Sequence, residues 1–291
     1  MMSLARSPLP LTITPYSRRY RGAVRDLLFR HENVLIHLDW QETDPWMDSS
    51  EAITRLAFDG HRLVGALAVS QPVDGASWIR VVAVHDAADP GVVLPALWEA
   101  VKPALREAGI VQVAVLLLRD WLGGYVSALG FHALEDIVTL RRGEQPIPSL
   151  MLPQGVTIRM LHDDDLARIA AVDRAAFVPP WQMSAQDVYH AARIAGFCTV
   201  AQVGTQIIGY QLCTVYFDGS HLARLAVLPQ MQGRGIGRAL VSGAIQHFSA
   251  RGIPTMTVNT QANNIQSQRV YMRLGFKRNG YDLPVWAAAL A

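Results

Sequence analysis

The apolar spacing changes character once between Leu225 and Phe248. Leu225-Ala226-Val227-Leu228 is an uninterrupted apolar run of strand length, and Pro229 ends it because proline cannot donate to a ladder. From Ile236 onward the apolar residues Leu240, Val241, Ala244, Ile245 and Phe248 recur at helical spacing. Gln232-Gly233-Arg234-Gly235-Ile236-Gly237 lies between, so the pattern predicts strand, glycine turn, helix. Further on, Thr255 to Thr260 reads as a strand. Asn264, Ser267, Tyr271 and Leu274 then fall on one helical face, and Gly275 suits the left-handed position that ends a helix. The longest apolar run, Val111 to Leu118, is too short to span a bilayer and predicts a buried strand.

The pattern occurs twice. Leu11-Thr12-Ile13 returns as Val156-Thr157-Ile158, Gly60 and Gly65 as Gly204 and Gly209, and Asp74-Gly75 as Asp218-Gly219. Val82-Ala83-Val84 returns as Leu225-Ala226-Val227, and Leu129-Gly130-Phe131 as Leu274-Gly275-Phe276. Every offset lies between 143 and 145 residues, which marks a duplicated domain rather than a solenoid. A proline- and glycine-containing join, Gly143 to Pro148 and Pro153 to Gly155, separates copies expected at 10–143 and 155–291. Each copy reads as strand, helices, hairpin strands, central strand, helix, strand, helix, strand, an α/β order with a mixed sheet.

Composition narrows the function. At 291 residues and 51% hydrophobic, the chain can build substantial cores. A net charge of +2 gives no electrostatic case for nucleic acid. Cys198 and Cys213 lack metal-ligand spacing and are expected in the core of a protein from a reducing, cytoplasmic compartment. The nine histidines show no ligand spacing, so no metal is expected. Met-Met-Ser-Leu-Ala-Arg at the N-terminus lacks the apolar run of a signal peptide, and no membrane association is expected. Oligomeric state is not legible in the sequence.

The glycine turn carries the chemistry. A turn of this kind aims backbone N–H groups at one point beside the positive end of a helix, which is an anion site. No Gly-Lys-Ser/Thr follows, and the spacing is not that of a dinucleotide fold. Gln232, Gly235 and Gly237 resemble the pyrophosphate loop Gln/Arg-x-x-Gly-x-Gly/Ala of the GNAT superfamily of acyl-CoA N-acyltransferases. Asn264, Ser267, Tyr271, Gly275 and Phe276 resemble the second signature of that superfamily, Asn-x-x-Ala/Ser-x-x-x-Tyr-x-x-x-Gly-Phe, in the right order. The resemblance implies two tandem GNAT-like α/β domains, each a mixed, mostly antiparallel sheet flanked by helices. As motif it covers only the second copy.

In the first copy an offset of 143 sets Asp89, Pro90, Val92 and Leu94 against Gln232, Gly233, Gly235 and Gly237. No glycine cradle remains there, and an aspartate repels a pyrophosphate. The first copy is therefore expected to have lost its cofactor site and to serve structure or acceptor binding. Trp40, Trp46, Trp78, Trp98 and Trp121 are expected mostly in its core. Trp40 and Trp46 also flank an acidic loop that borders the acceptor groove in the implied fold.

The resemblance implies transfer of an acetyl group from acetyl-CoA to a primary amine by direct attack. It gives the pyrophosphate to main-chain N–H groups of Gln232, Gly233, Arg234, Gly235, Ile236 and Gly237, with the Arg234 and Arg238 side chains adding charge or standing as solvated surface arginines. Main-chain groups of Leu225, Ala226 and Val227 would meet the pantetheine arm and polarise the thioester. Asn264 would fix the pantetheine amide or cap its helix, a role Asn263 offers equally. Tyr271 would protonate the leaving thiolate. Phe177-Val178-Pro179-Pro180-Trp181 resembles a loop of N-terminal alanine acetyltransferases of ribosomal proteins. Those enzymes carry a glutamate where this chain has Asn259, and an amide cannot serve as base. His221 is the candidate base, with a water chain to Asp218 or Tyr210 equally open. The expected acceptor is a small-molecule or peptide α-amine. Alternatives are a mycothiol-synthase-like enzyme, also tandem GNAT, and a non-catalytic acyl-CoA sensor.

Overall fold

The computed structural model describes residues 11–290. The N-terminal stretch Met1 to Arg6, and the outermost expected domain limits Pro10 and Ala291, lie outside the described residues. The first copy supplies β1 (Thr12–Pro15), α1 (Arg21–Arg30), β2 (Val34–Ile36), α2 (Thr43–Met47), β3 (Ala52–Asp59), β4 (Arg62–Ser70), β5 (Ala76–Val84), α3 (Pro90–Glu107), β6 (Gln112–Leu116), α4 (Asp120–Val126) and β7 (His132–Arg142). The second supplies β8 (Thr157–Met160), α5 (Leu166–Ala176), α6 (Ala185–Ile194), β9 (Phe197–Val203), β10 (Gln206–Tyr216), β11 (Gly219–Val227), α7 (Ile236–Ser249), β12 (Met256–Gln261), α8 (Ile265–Arg273) and β13 (Lys277–Ala289).

The compact units are not cut at the join. One unit runs to Leu134 and takes in the chain from Val285 onward; the other is Glu135–Pro284. In the first unit the sheet order is β1-β3-β4-β5-β6, closed by the last residues of β13 antiparallel to β6, Val285 against Leu116 through Ala289 against Gln112. In the second it is β8-β9-β10-β11-β12, closed by β7, whose Arg142 lies against Met256 and Ile137 against Gln261. The final strand of each copy thus completes the sheet of the other unit. A repeat offset reports where a strand recurs, and either copy of that strand satisfies the same edge.

Both units are layered helix, sheet, helix. In the first, Val93, Leu97, Trp98, Val101 and Leu105 of α3 cover one sheet face, while Val24, Leu27 and Leu28 of α1 cover the other with Trp46. Trp46 and Trp98 are buried as expected; Trp40, Trp78 and Trp121 are half-buried. In the second unit Leu240, Val241, Ala244, Ile245 and Phe248 of α7 face the sheet, as their spacing predicted. Cys198 and Cys213 are buried free thiols, and burial pushes that of Cys198 up to about 12.

The duplication extends to irregularities. The β4–β5 ladder slips between Ala68 and Val69, leaving Arg80 unmatched, and the β10–β11 ladder slips between Leu212 and Cys213, leaving Ala223 unmatched. Each slip is a bulge that re-aims the central strand.

One buried cation organises the start of the join. The Arg142 guanidinium donates to the carbonyls of Leu274 (3.0 Å), Gly143 (3.1 Å), Gln145 (2.9 Å) and Pro146 (2.7 Å). Its side chain ties the end of α8 to Gly143–Pro146, and burial holds its pKa below the usual arginine range. Arg142→Ala leaves those carbonyls without their donor. It should cost about 3 kcal/mol of stability, read from the denaturant midpoint.

Candidate functional site

The site begins where two parallel strands part. β11 and β12 pair only from Ser220 to Leu222, against Met256 to Val258. The bulge at Ala223 follows at once, and from there to Val227 β11 keeps its ladder with β10 alone. Among the described residues no strand pairs with the opposite edge of that segment, so main-chain groups face an open cleft. At its head, the Gln232 side chain donates to the Val227 carbonyl (3.0 Å). That side chain fixes the turn.

The turn is a cradle of alternating left-handed glycines. Gly233 has φ +74° and Gly235, at the start of α7, φ +84°. Such an alternation points successive N–H groups the same way and forms an anion nest. Gln232 N–H bonds to Pro229 and Ala239 N–H to Gly235. Among the described residues, the N–H groups from Gly233 to Arg238 make no hydrogen bond. The Ile236 side chain is buried, while Arg234 and Arg238 are exposed, without hydrogen bond or ion pair among the described residues.

The first unit closes both features with its own chain. There β5 parts from β6 after Trp78 and Ala114, but β2 lies antiparallel on the freed edge, Ile36 against Val81 through Val34 against Ala83. Flanking bonds run from His37 N–H to the Arg80 carbonyl (2.8 Å) and from Val84 N–H to the Asn33 carbonyl (2.9 Å). At the start of α3, the Asp89 carboxylate accepts from Gly91 N–H (2.8 Å). Asp89 therefore matches Gly235 as helix cap, three residues away from the pairing that a constant offset gives.

Asn264 is the N-cap of α8, its side-chain oxygen accepting from Ser267 N–H (3.1 Å), so the cap falls to it and not to Asn263. Tyr271 is 4% exposed and packs among Leu222, Val258 and Phe276. Burial raises its phenol above the ordinary value, the neighbouring Cys213 adds to this, and a hydrogen bond with Ser267 and the charge of Arg224 partly offset it. His221 sits where β11 and β12 still pair, its Nδ1 2.8 Å from Thr257 Oγ1. Asn259 is exposed on β12, opposite Thr139 of β7. Leu225 and Val227 are half-buried and Ala226 is buried.

Tyr210 is buried, donates to Asp173 Oδ2 (2.5 Å) and is pushed well above the ordinary phenol value, first by burial and then by that carboxylate. It belongs to a buried cluster with Asp173 and Arg224. Asp173 on α5 also accepts twice from Arg224 (2.7 and 2.8 Å). Arg224 donates in turn to the Trp181 carbonyl (2.6 Å), and its guanidinium lies 3.7 Å from the Phe177 ring centroid. Met183 N–H bonds to Asp173 as well (2.9 Å). The Phe177–Trp181 loop is thus pinned to the central strand by one buried ion pair. The available signal was an arginine inside the apolar run Leu222 to Leu228.

The open strand edge and the glycine cradle belong to an acyl-CoA-dependent N-acetyltransferase, the class to which the similarity of the chain to known proteins assigns it. The acetyltransferase (GNAT) family model matches residues 166–276. A mycothiol acetyltransferase of Streptomyces bingchenggensis is 30% identical over 67% of this chain and 73% of that protein. One from Pseudarthrobacter chlorophenolicus is 27% identical over 90% and 93%. The [ribosomal protein bS18]-alanine N-acetyltransferase of Haemophilus ducreyi is 26% identical over 44% and 90%. A tandem GNAT protein from the clavulanic acid biosynthesis pathway shares the fold at TM-score 0.64, with 14% identity over 97% and 99% of the two chains. The chain belongs to the GNAT acetyltransferase family.

Gly235→Val should abolish acetyl-CoA binding. Space is not the obstacle, since a Cβ there meets only Pro153 Cγ at 3.9 Å. At φ +84° a branched residue is strained, so the nest unwinds. Calorimetry should give one site per wild-type chain and none for the variant. Two equivalent sites, or undiminished binding, would contradict the cradle.

Proposed function

We propose that the chain transfers an acetyl group from acetyl-CoA to the primary amine of a small molecule, in a ternary complex, at a single active site in the second unit. The observation that carries this reading is the contrast at the two parted strands. The β11 edge and the N–H groups of Gly233 to Arg238 are open, whereas β2 and Asp89 fill the corresponding places in the first unit.

The cradle would hold the pyrophosphate, and the open edge from Ala223 to Val227 would take the pantetheine amides. Main-chain donors beside the bulge would meet the thioester oxygen as it becomes negative. Tyr271 would give its proton to the departing thiolate. Its burial keeps it protonated at any working pH, and the same dry surroundings raise the proton affinity of the thiolate. Asn264 spends its oxygen on the helix cap, which leaves its amide N–H groups for the pantetheine. Tyr271→Phe should lower kcat about 10²–10⁴-fold with little change in the KM for acetyl-CoA. Single-turnover kinetics within about twofold of wild type would remove the acid role.

The acceptor reading rests on Asn259 and on the relatives. The two relatives named for mycothiol align with 90% and 67% of the chain, while the one named for a ribosomal-protein alanine aligns with 44% of it. Without a carboxylate at position 259, an amine that is already partly neutral is favoured. An α-amine or amino-sugar amine of pKa near ~8 is deprotonated at pH 7 for about 3 kcal/mol less than a lysine ε-amine at ~10.4. kcat/KM should therefore rise with pH along the titration of the amine itself, with no alkaline fall from Tyr271 before about pH 10. A plateau set by an enzymic group below pH 7 that His221→Ala removes would make His221 the base.

A further inference from the structure

The join leads into the cradle. Pro148 is tied to α7 by Gln246, whose Nε2 donates to the Pro148 carbonyl (2.8 Å). Pro153 reaches the first turn of the same helix, 3.9 Å from where a Cβ of Gly235 would stand. Val156 then packs with Ile236 and Leu240. From Gln246 back to Gly235 is roughly 16 Å of helix at ~1.5 Å per residue. Pro148 to Pro153 spans at most about 17 Å fully extended. The segment therefore runs along α7, antiparallel to it, and ends at the cradle.

Its side chains are unusual for such a place. Leu150, Met151 and Leu152 are 41%, 69% and 48% exposed. They are three consecutive exposed apolar residues of the segment that ends at the cradle, where Arg234 and Arg238 also stand exposed. Beyond the pyrophosphate, CoA continues as a phosphorylated adenosine: a flat base with weakly hydrated faces and a dianionic phosphate. An adaptable methionine between leucines suits the first, and guanidinium groups suit the second.

We infer that Leu150–Leu152 forms the adenine platform of the CoA site, with Arg234 and Arg238 facing the ribose phosphate. This rests on the cradle being the pyrophosphate site. The join then has a binding role besides a connecting one, and the part of CoA farthest from the chemistry is gripped by a segment outside both signature motifs.

The test uses acetyl-CoA and acetyl-4′-phosphopantetheine, which lacks the 3′-phosphoadenylyl part and keeps one phosphate for the cradle, by calorimetry on the full chain. Replacing Leu150, Met151 and Leu152 together by serine should weaken acetyl-CoA binding about 5–50-fold, the loss expected when a flat base no longer covers apolar side chains. Binding of acetyl-4′-phosphopantetheine should stay within about twofold of wild type. Met151→Ser alone, at the most exposed position, should show the same selective loss in smaller measure and guards against misfolding of the triple variant. If acetyl-CoA affinity is unchanged, the strip serves another surface, a protein or a membrane, and the inference falls. Equal losses for both ligands would make the join a mere support of the cradle and would also overturn it. The cradle reading fails separately, if Gly235→Val leaves acetyl-CoA binding intact.

Discussion

Everything at this site follows from one constraint: backbone donors and acceptors along a strand edge must be satisfied. β11 keeps its parallel partner only to Leu222. Past that point its edge must find water, chain or ligand. The bulge at Ala223 turns the strand at the parting, and the cradle from Gly233 to Gly235 closes the far end of the cleft. Tyr271 enters from α8, beside the same parting, with Leu222 and Val258 as neighbours.

The first unit meets the same constraint with its own atoms. β2 supplies the missing ladder, and Asp89 supplies the anion at the helix start. Duplication thus left two copies of one scaffold, alike down to the bulge, with the edge filled by β2 in one and open in the other. The Gly91 N–H at that helix start is already taken by the Asp89 carboxylate.

The buried Asp173–Arg224 pair serves the other side of the central strand. Removing two charges from water is costly, and such a pair persists when its geometry and extra hydrogen bonds offset that cost. Here Tyr210, Met183 N–H and the Trp181 carbonyl complete the set. The result is a loop fixed against β11 rather than a titrating group. The loop that resembles those of the alanine acetyltransferases is thus held firmly, while Asn259 stands where those enzymes carry a glutamate.

The sequence by itself determined the strand–turn–helix unit, the duplication, the second signature and the loss of the first cradle. Each is local: glycine tolerance of positive φ at 233 and 235, helical spacing from Asn264 to Leu274, a constant offset between copies. Tertiary structure alone decided that β7 and β13 are exchanged, because either copy of the final strand can satisfy the same edge. It alone showed that β2 fills the cleft of the first unit, since a short apolar run such as Val34–Ile36 carries no mark of its partner. It also assigned Tyr210 to a buried cluster, because a hydrogen-bond partner as distant in the chain as Asp173 is set by packing and not by spacing.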